Sequence, residues 1–234
     1  MFNIFEHTDI HDIYYPISSI FKNIVENMKT ILQDLPTYID YNWLMYALRR
    51  YVSPRVKIHA FLKSGEIIRI KKGIYVPGKK YGRSISSGVL ANLICGPSYV
   101  SYEYALGWYG IIPERAYGIS SACIKKNKEF RTPVGTFWYR KIPSNVFSLG
   151  VDLVADGEAS FLIATPEKAL ADSIAHVKDI ASPNDLEHYL FEEQRMDSEA
   201  CRRLNVPLLN TIADAYGRKQ VNILSDYLSK KVKK

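Results

Sequence analysis

Apolar positions along this chain change their period at places that mark out its elements. Over residues 17–35, Phe21, Ile24, Val25, Met28, Ile31, Leu32 and Leu35 recur at i, i+3 and i+4, which predicts an amphipathic leading helix stopped by Pro36. Asp40, whose carboxylate can accept from the free N–H groups two or three residues on, then precedes Leu44, Ala47 and Leu48 at helical spacing. The pattern lapses at Arg49-Arg50-Tyr51-Val52. Ser53-Pro54 restarts it with a hydroxyl cap and a proline at the first helical position, where the missing N–H costs nothing. This second helix is expected to run from Pro54 to about Lys63, with Ser64-Gly65 as its stop. Ile58, Phe61 and Leu62 share one face of it. Val56, His59, Ala60 and Lys63 share the opposite face, with Arg55 and Lys57 at the margins. The period then falls to two. Residues 66–70 and 74–76 predict strands joined through Lys71-Lys72-Gly73, with Ile68 and Ile70 on one side and Arg69 and Lys71 on the other.

Helix, short turn, helix, glycine and basic hairpin, in that order, is the pattern of a winged helix-turn-helix. Taken alone, the second helix reads equally well as a solvated surface helix; the hairpin after it favours DNA. The expected contacts follow from side-chain chemistry. Arg55, Lys57, His59 and Lys63 enter or border a major groove, and Arg49, Arg50 and Ser53 hold the backbone beside it. Arg69, Lys71 and Lys72 lie over the adjacent backbone or minor groove.

Charge sharpens this picture. The 234 residues carry a net +7, yet residues 37–83 hold 11 Lys and Arg against 2 Asp and Glu, a net of +9. A polyanion footprint has this concentration. An anionic membrane surface would attract the same charge, but the stretch lacks a long amphipathic helix with lysines opposite bulky apolar residues. Double-stranded DNA is the better partner.

The Pro-, Gly- and Lys-rich run at 76–83 is the natural boundary, giving domains 1–83 and 84–234. Beyond it the chain predicts a helix over 84–94, a break at Gly96-Pro97, and a helix capped by Ser101 and ended by Gly110. The aromatics Tyr99, Tyr102, Tyr104, Trp108 and Tyr109 resemble a base-stacking platform, although core and rim packing accounts for them more simply. Residues 117–124, 136–142 and 159–163 predict strands of a small, mainly antiparallel sheet. Lys125, Lys126, Lys128 and Arg131 fall on the connection between the first two, as a solvated loop or a secondary contact with phosphate or an acidic protein. Thr165-Pro-Glu starts a helix that buries Ala169, Leu170, Ser173, Ile174 and Val177, and three more helices are expected near 185–196, 207–216 and 219–231. The fold class is α+β, a winged helix-turn-helix followed by an α+β domain.

Three segments also resemble a known family. Phe61-Leu-Lys-Ser-Gly-Glu-Ile-Ile-Arg-Ile-Lys-Lys-Gly-Ile-Tyr-Val-Pro77 is similar to the helix-to-wing segment of the AbiEi antitoxins of abortive-infection toxin–antitoxin systems. Tyr99-Val-Ser-Tyr-Glu-Tyr-Ala-Leu106 with Gly110-Ile-Ile-Pro-Glu114, and Ile163-Ala-Thr-Pro-Glu-Lys-Ala-Leu170, extend the likeness in the same order. The resemblance implies a repressor that binds inverted repeats upstream of its own operon and neutralises a nucleotidyltransferase-like toxin. It brings no neutralising residue to a position of this chain.

Other chemistries find little support. Cys95, Cys123 and Cys201 are scattered and form no C-x-x-C pair, so buried thiols are expected rather than a disulfide framework or zinc site. No phosphate-loop, dinucleotide, zinc-protease or nucleophile-elbow motif occurs, and no cofactor is expected. His7 and His11 lack a third ligand. Asp152, Asp156 and Glu158, followed by Glu167-Lys168, are the nearest approach to a nuclease site. There the acid and lysine are adjacent at a helix start, where the alternate-face geometry of a strand does not hold. Residues 1–12 carry Glu6, Asp9 and Asp12 where an export signal would be basic, so a cytoplasmic protein is expected. A protein-interaction module and a solitary regulator without a toxin remain the alternatives.

Overall fold

The computed structural model describes residues 35–113 and 118–231, so the leading helix expected over 17–35 lies outside them apart from Leu35, as do His7 and His11. The chain separates into two units, Met1–Arg83 and Ser84–Lys234, and both combine helices with a sheet.

The first unit runs β1 (Ile39–Asp40), α1 (Tyr41–Ala47), α2 (Pro54–Lys63), β2 (Ile67–Lys71) and β3 (Ile74–Pro77). Asp40 starts α1 by accepting from the Trp43 N–H at 2.9 Å. After α2, Gly65 adopts φ +72°, a left-handed conformation that glycine reaches without steric penalty. β3 lies between β1 and β2 in an antiparallel sheet. The two-residue β1 is too short to leave a periodic trace in the sequence. Leu35, Ile39, Leu44, Leu48, Ile58, Phe61, Ile67 and Tyr75 form the core, each fully buried aliphatic or aromatic side chain stabilising by about 1.5–3 kcal/mol.

The hairpin corrects one expectation. Ile67 and Ile70 are buried and Ile68 is only half-buried, so strict alternation from Ile68 to Ile70 does not hold. The register shifts between Arg69, opposite Tyr75, and Lys71, opposite Ile74, leaving Ile70 as the extra residue. A bulge of this kind resets which face each later side chain takes.

The second unit opens with α3 (Ser87–Ile94), β4 (Ser98–Val100) and α4 (Tyr102–Trp108), followed by β5 (Ile119–Cys123), β6 (Lys128–Thr132), β7 (Gly135–Lys141), β8 (Val151–Asp156) and β9 (Ala159–Ala164). These strands make one six-stranded sheet in the order β6-β7-β5-β4-β9-β8. The sheet is mixed: β4/β9 and β5/β7 are parallel, and the other three pairings antiparallel. Its edges, β6 and β8, are absent from the sequence expectation because they are partly solvated and lack a strong apolar signal.

Helices α5 (Pro166–Ile174), α6 (Pro183–Glu187), α7 (Ser198–Arg202), α8 (Val206–Tyr216) and α9 (Lys219–Lys231) complete the unit. The single helix expected over 185–196 is instead α6 continued by a π-helical turn at His188–Glu193. Thr165 caps α5 by accepting from the Lys168 N–H at 3.3 Å. Every residue from Glu167 to Ile174 is buried, so α5 is enclosed on all sides rather than along one face. No helix among the described residues is long and apolar enough to cross a membrane.

Candidate nucleic-acid interface

The two helices of the first unit are fixed by what they bury. Leu44 and Leu48 anchor α1 and the turn after it, while Ile58 and Phe61 point α2 into the same core. At about 100° per residue, burying Ile58 and Phe61 turns Val56, His59, Ala60 and Lys63 outward, and all four are exposed together with Arg55. Lys57 sits on the flank. It is half-buried, its Nζ 5.4 Å from the Tyr51 ring centroid and 5.2 Å from that of Phe61, so its stem covers apolar surface. Position and charge favour Arg55, His59 and Lys63 over Lys57 for reaching a ligand opposite α2.

Arg49 and Arg50 are exposed where α1 ends. The Arg49 guanidinium lies 3.9 Å above the Tyr46 ring, and its Nη1 donates to the Tyr46 carbonyl at 2.9 Å, so this cation is held in place while still facing solvent. Ser53 is a correction: it occupies the cap position of α2, but its hydroxyl makes no capping bond and is exposed. Proline at the next position removes one donor that a cap would otherwise satisfy. On the hairpin, Arg69 and Lys72 are exposed and Lys71 is half-buried beside the bulge.

Both acids between residues 37 and 83 are engaged elsewhere. Asp40 caps α1. Glu66 accepts from Lys80 Nζ at 2.6 Å and from the Tyr81 hydroxyl. Partial burial opposes ionisation of Glu66, but these two donors outweigh it and hold the carboxyl below its ordinary range. Glu66 is thus paired with Lys80, and Asp40 is bound to the start of α1.

The second basic group is less available than its sequence suggests. Lys128 and Arg131 belong to strand β6 rather than a loop. Arg131 Nε pairs with Glu129 at 2.6 Å, and Lys125 Nζ donates to the Gly96 carbonyl at 3.0 Å. Lys126 is exposed and Lys128 half-buried.

A different arrangement lies inside the second unit. Lys168 Nζ and Asp172 Oδ1 are 2.7 Å apart, with both side chains wholly buried. Asp172 also accepts from the hydroxyls of Tyr99 at 2.9 Å, Ser101 at 2.7 Å and Tyr216. Burial lowers the Lys168 pKa, opposed by Asp172, and raises those of Tyr99 and Tyr216, which the nearby carboxylate raises further. Ser101 therefore does not cap α4 as expected; its hydroxyl points to Asp172. Glu167 accepts from the Asn205 N–H at 2.7 Å, tying the start of α5 to the start of α8. Asp172 thus accepts from four side chains that close on it, which is the character of a structural centre. Its sequence trace was the i, i+4 spacing of Lys168 and Asp172 on a helix, a pattern shared with many surface pairs. Cys95, Cys123 and Cys201 are free, buried thiols.

No protein-family model matches the sequence, and no curated protein matches it.

Proposed function

We propose that the first unit is a winged helix-turn-helix that binds double-stranded DNA, with α2 in the major groove and the β2–β3 hairpin as the wing. The observation that carries this reading is the outer face of α2. Arg55, His59 and Lys63 stand exposed beside Val56 and Ala60, Arg49, Arg50, Arg69 and Lys72 are exposed in the same unit, and both carboxylates of residues 37–83 are committed elsewhere. Small residues allow close approach, and cations supply the phosphate attraction that dominates affinity.

On this reading the chain is a sequence-specific transcriptional repressor. The three AbiEi-like segments extend the proposal to an antitoxin that represses its own operon, through inverted repeats upstream, and neutralises a nucleotidyltransferase-like toxin encoded beside it. The second unit is then the part that acts on the toxin, and the proposed site of action is cytoplasmic.

Fluorescence anisotropy tests the DNA reading directly, using the upstream duplex and a scrambled duplex over a salt series. Selective binding is expected, with log K falling against log salt at a slope of about −4 to −5 if five cations meet phosphates. A flat salt response, or equal weak binding to both duplexes, overturns it. Coexpression with the adjacent gene tests the antitoxin part: growth rescue is expected, and unrelieved toxicity overturns it.

A further inference from the structure

The first unit exposes apolar side chains at and just before α2 that phosphate binding does not require. Val52, in the turn before α2, is fully exposed at 107%, and Val56, in the first turn of the helix, is exposed at 68%. Ala60, one helical turn on from Val56, is also exposed. Val56 and Ala60 lie on one stripe, with His59 and Lys63 beside them, because positions four apart align along a helix. An exposed aliphatic residue by itself is ordinary. Here Val56 and Ala60 share one outward stripe of α2 with the exposed His59 and Lys63 beside it and the exposed Arg55 next to Val56, and Val52 is exposed just before the helix.

Resting on the DNA reading above, we propose that Val56, with Ala60 and Val52 beside it, recognises the 5-methyl groups of thymines in the major groove. The thymine methyl is the one apolar group that a base edge presents there, and aliphatic side chains are its natural contact. The N-terminal part of a recognition helix is the part that reaches base edges, and Val56 is the third residue of α2. Arg55 and Lys63 then set register through phosphate or guanine. Val56 supplies discrimination between thymine and every base that lacks the methyl.

The test uses a chemical change in the DNA, so that it does not depend on a variant folding. Duplexes with a randomised core are selected on the full-length protein, and the selected duplex is resynthesised with deoxyuridine in place of thymidine, which removes only the methyls. The selected core is expected to contain thymines, and the deoxyuridine duplex to bind about fourfold more weakly for each contacted methyl. Val56→Ser is expected to lose about fourfold of the preference for the thymidine duplex, whereas Lys72→Ala weakens both in parallel. Equal binding of the wild-type protein to thymidine and deoxyuridine duplexes overturns methyl recognition while leaving DNA binding intact. Failure to enrich any duplex overturns the DNA reading and this inference with it.

Discussion

Lys168 and Asp172 lie one helical turn apart on α5, their charged atoms at 2.7 Å and their side chains closed off from solvent. An isolated buried pair of this kind is often replaceable by apolar residues at no net cost, because the desolvation of two charges offsets their attraction. This pair differs in that Asp172 also accepts three hydroxyl hydrogen bonds, from Tyr99 on β4, from Ser101 just after it and from Tyr216 at the end of α8.

Apolar replacement is therefore expected to fail here. Lys168→Met should cost about 3–5 kcal/mol by leaving a buried carboxylate without its cation. Adding Asp172→Leu should not restore stability, since three buried hydroxyls lose their acceptor at about 1–3 kcal/mol each. Lys168→Met with Asp172→Asn should be the milder double variant, as the amide oxygen still accepts. Urea unfolding measures all three, and a Met/Leu variant as stable as wild type would refute the argument.

Buried tyrosines, in this centre and beyond it, make the second unit sensitive to alkali. Tyr99, Tyr102, Tyr139 and Tyr216 all have folded-state pKa values raised above the ordinary 10.0, chiefly by burial. A raised folded value means that stability is fully present below pH 10 and is lost as pH rises above it, where the unfolded chain releases protons that the folded chain retains. Lys168, with its lowered value, has the opposite sign below its ordinary 10.5, but it is one group against four. The thermal midpoint, followed by circular dichroism from pH 8 to 11.5, is expected to fall above pH 10 and less steeply in Tyr216→Phe.

On the first unit, Arg55 and Lys72 should separate in their effects on specificity and on salt dependence. Arg55→Ala is expected to cost about 1–3 kcal/mol on the preferred duplex and to narrow the gap to scrambled DNA. Lys72→Ala at the hairpin tip should weaken both duplexes alike and reduce the salt slope by about one. Anisotropy titrations of the two variants side by side decide this, and identical profiles would remove the proposed division of labour between α2 and the hairpin.

Gly78 holds the exit of the hairpin against the end of α2. A Cβ there would stand 1.9 Å from the Gly65 carbonyl oxygen, and the Gly78 N–H donates to the Glu66 carbonyl at 2.7 Å. Backbone cannot yield as a flexible side chain does, so Gly78→Ala should destabilise the unit by about 1–3 kcal/mol or more. On the proposed DNA reading affinity should fall with it, because β3 and the turn after α2 set the position of the β2–β3 hairpin. A variant with unchanged thermal midpoint and affinity would contradict this.

Local order was readable because its causes are local. Asp40 before α1, Pro54 at the start of α2, Gly65 after it and Thr165 before α5 each act on backbone groups within about four residues, and each stands where the sequence placed it. The outward set on α2 followed from one angle per residue. What the tertiary structure decided involves partners far apart in sequence. The Ser101 hydroxyl chooses Asp172, 71 residues away, over its own helix. Glu167 serves Asn205, 38 residues away. The bulge at Ile70 depends on pairing with β3, and β6 and β8 exist as strands through pairing with β7 and β9. A helix in isolation would solvate Lys168. Enclosure of α5 by its neighbours turns that lysine inward, since only the assembled unit offers both a dry interior and the carboxylate that makes burial of a charge tolerable.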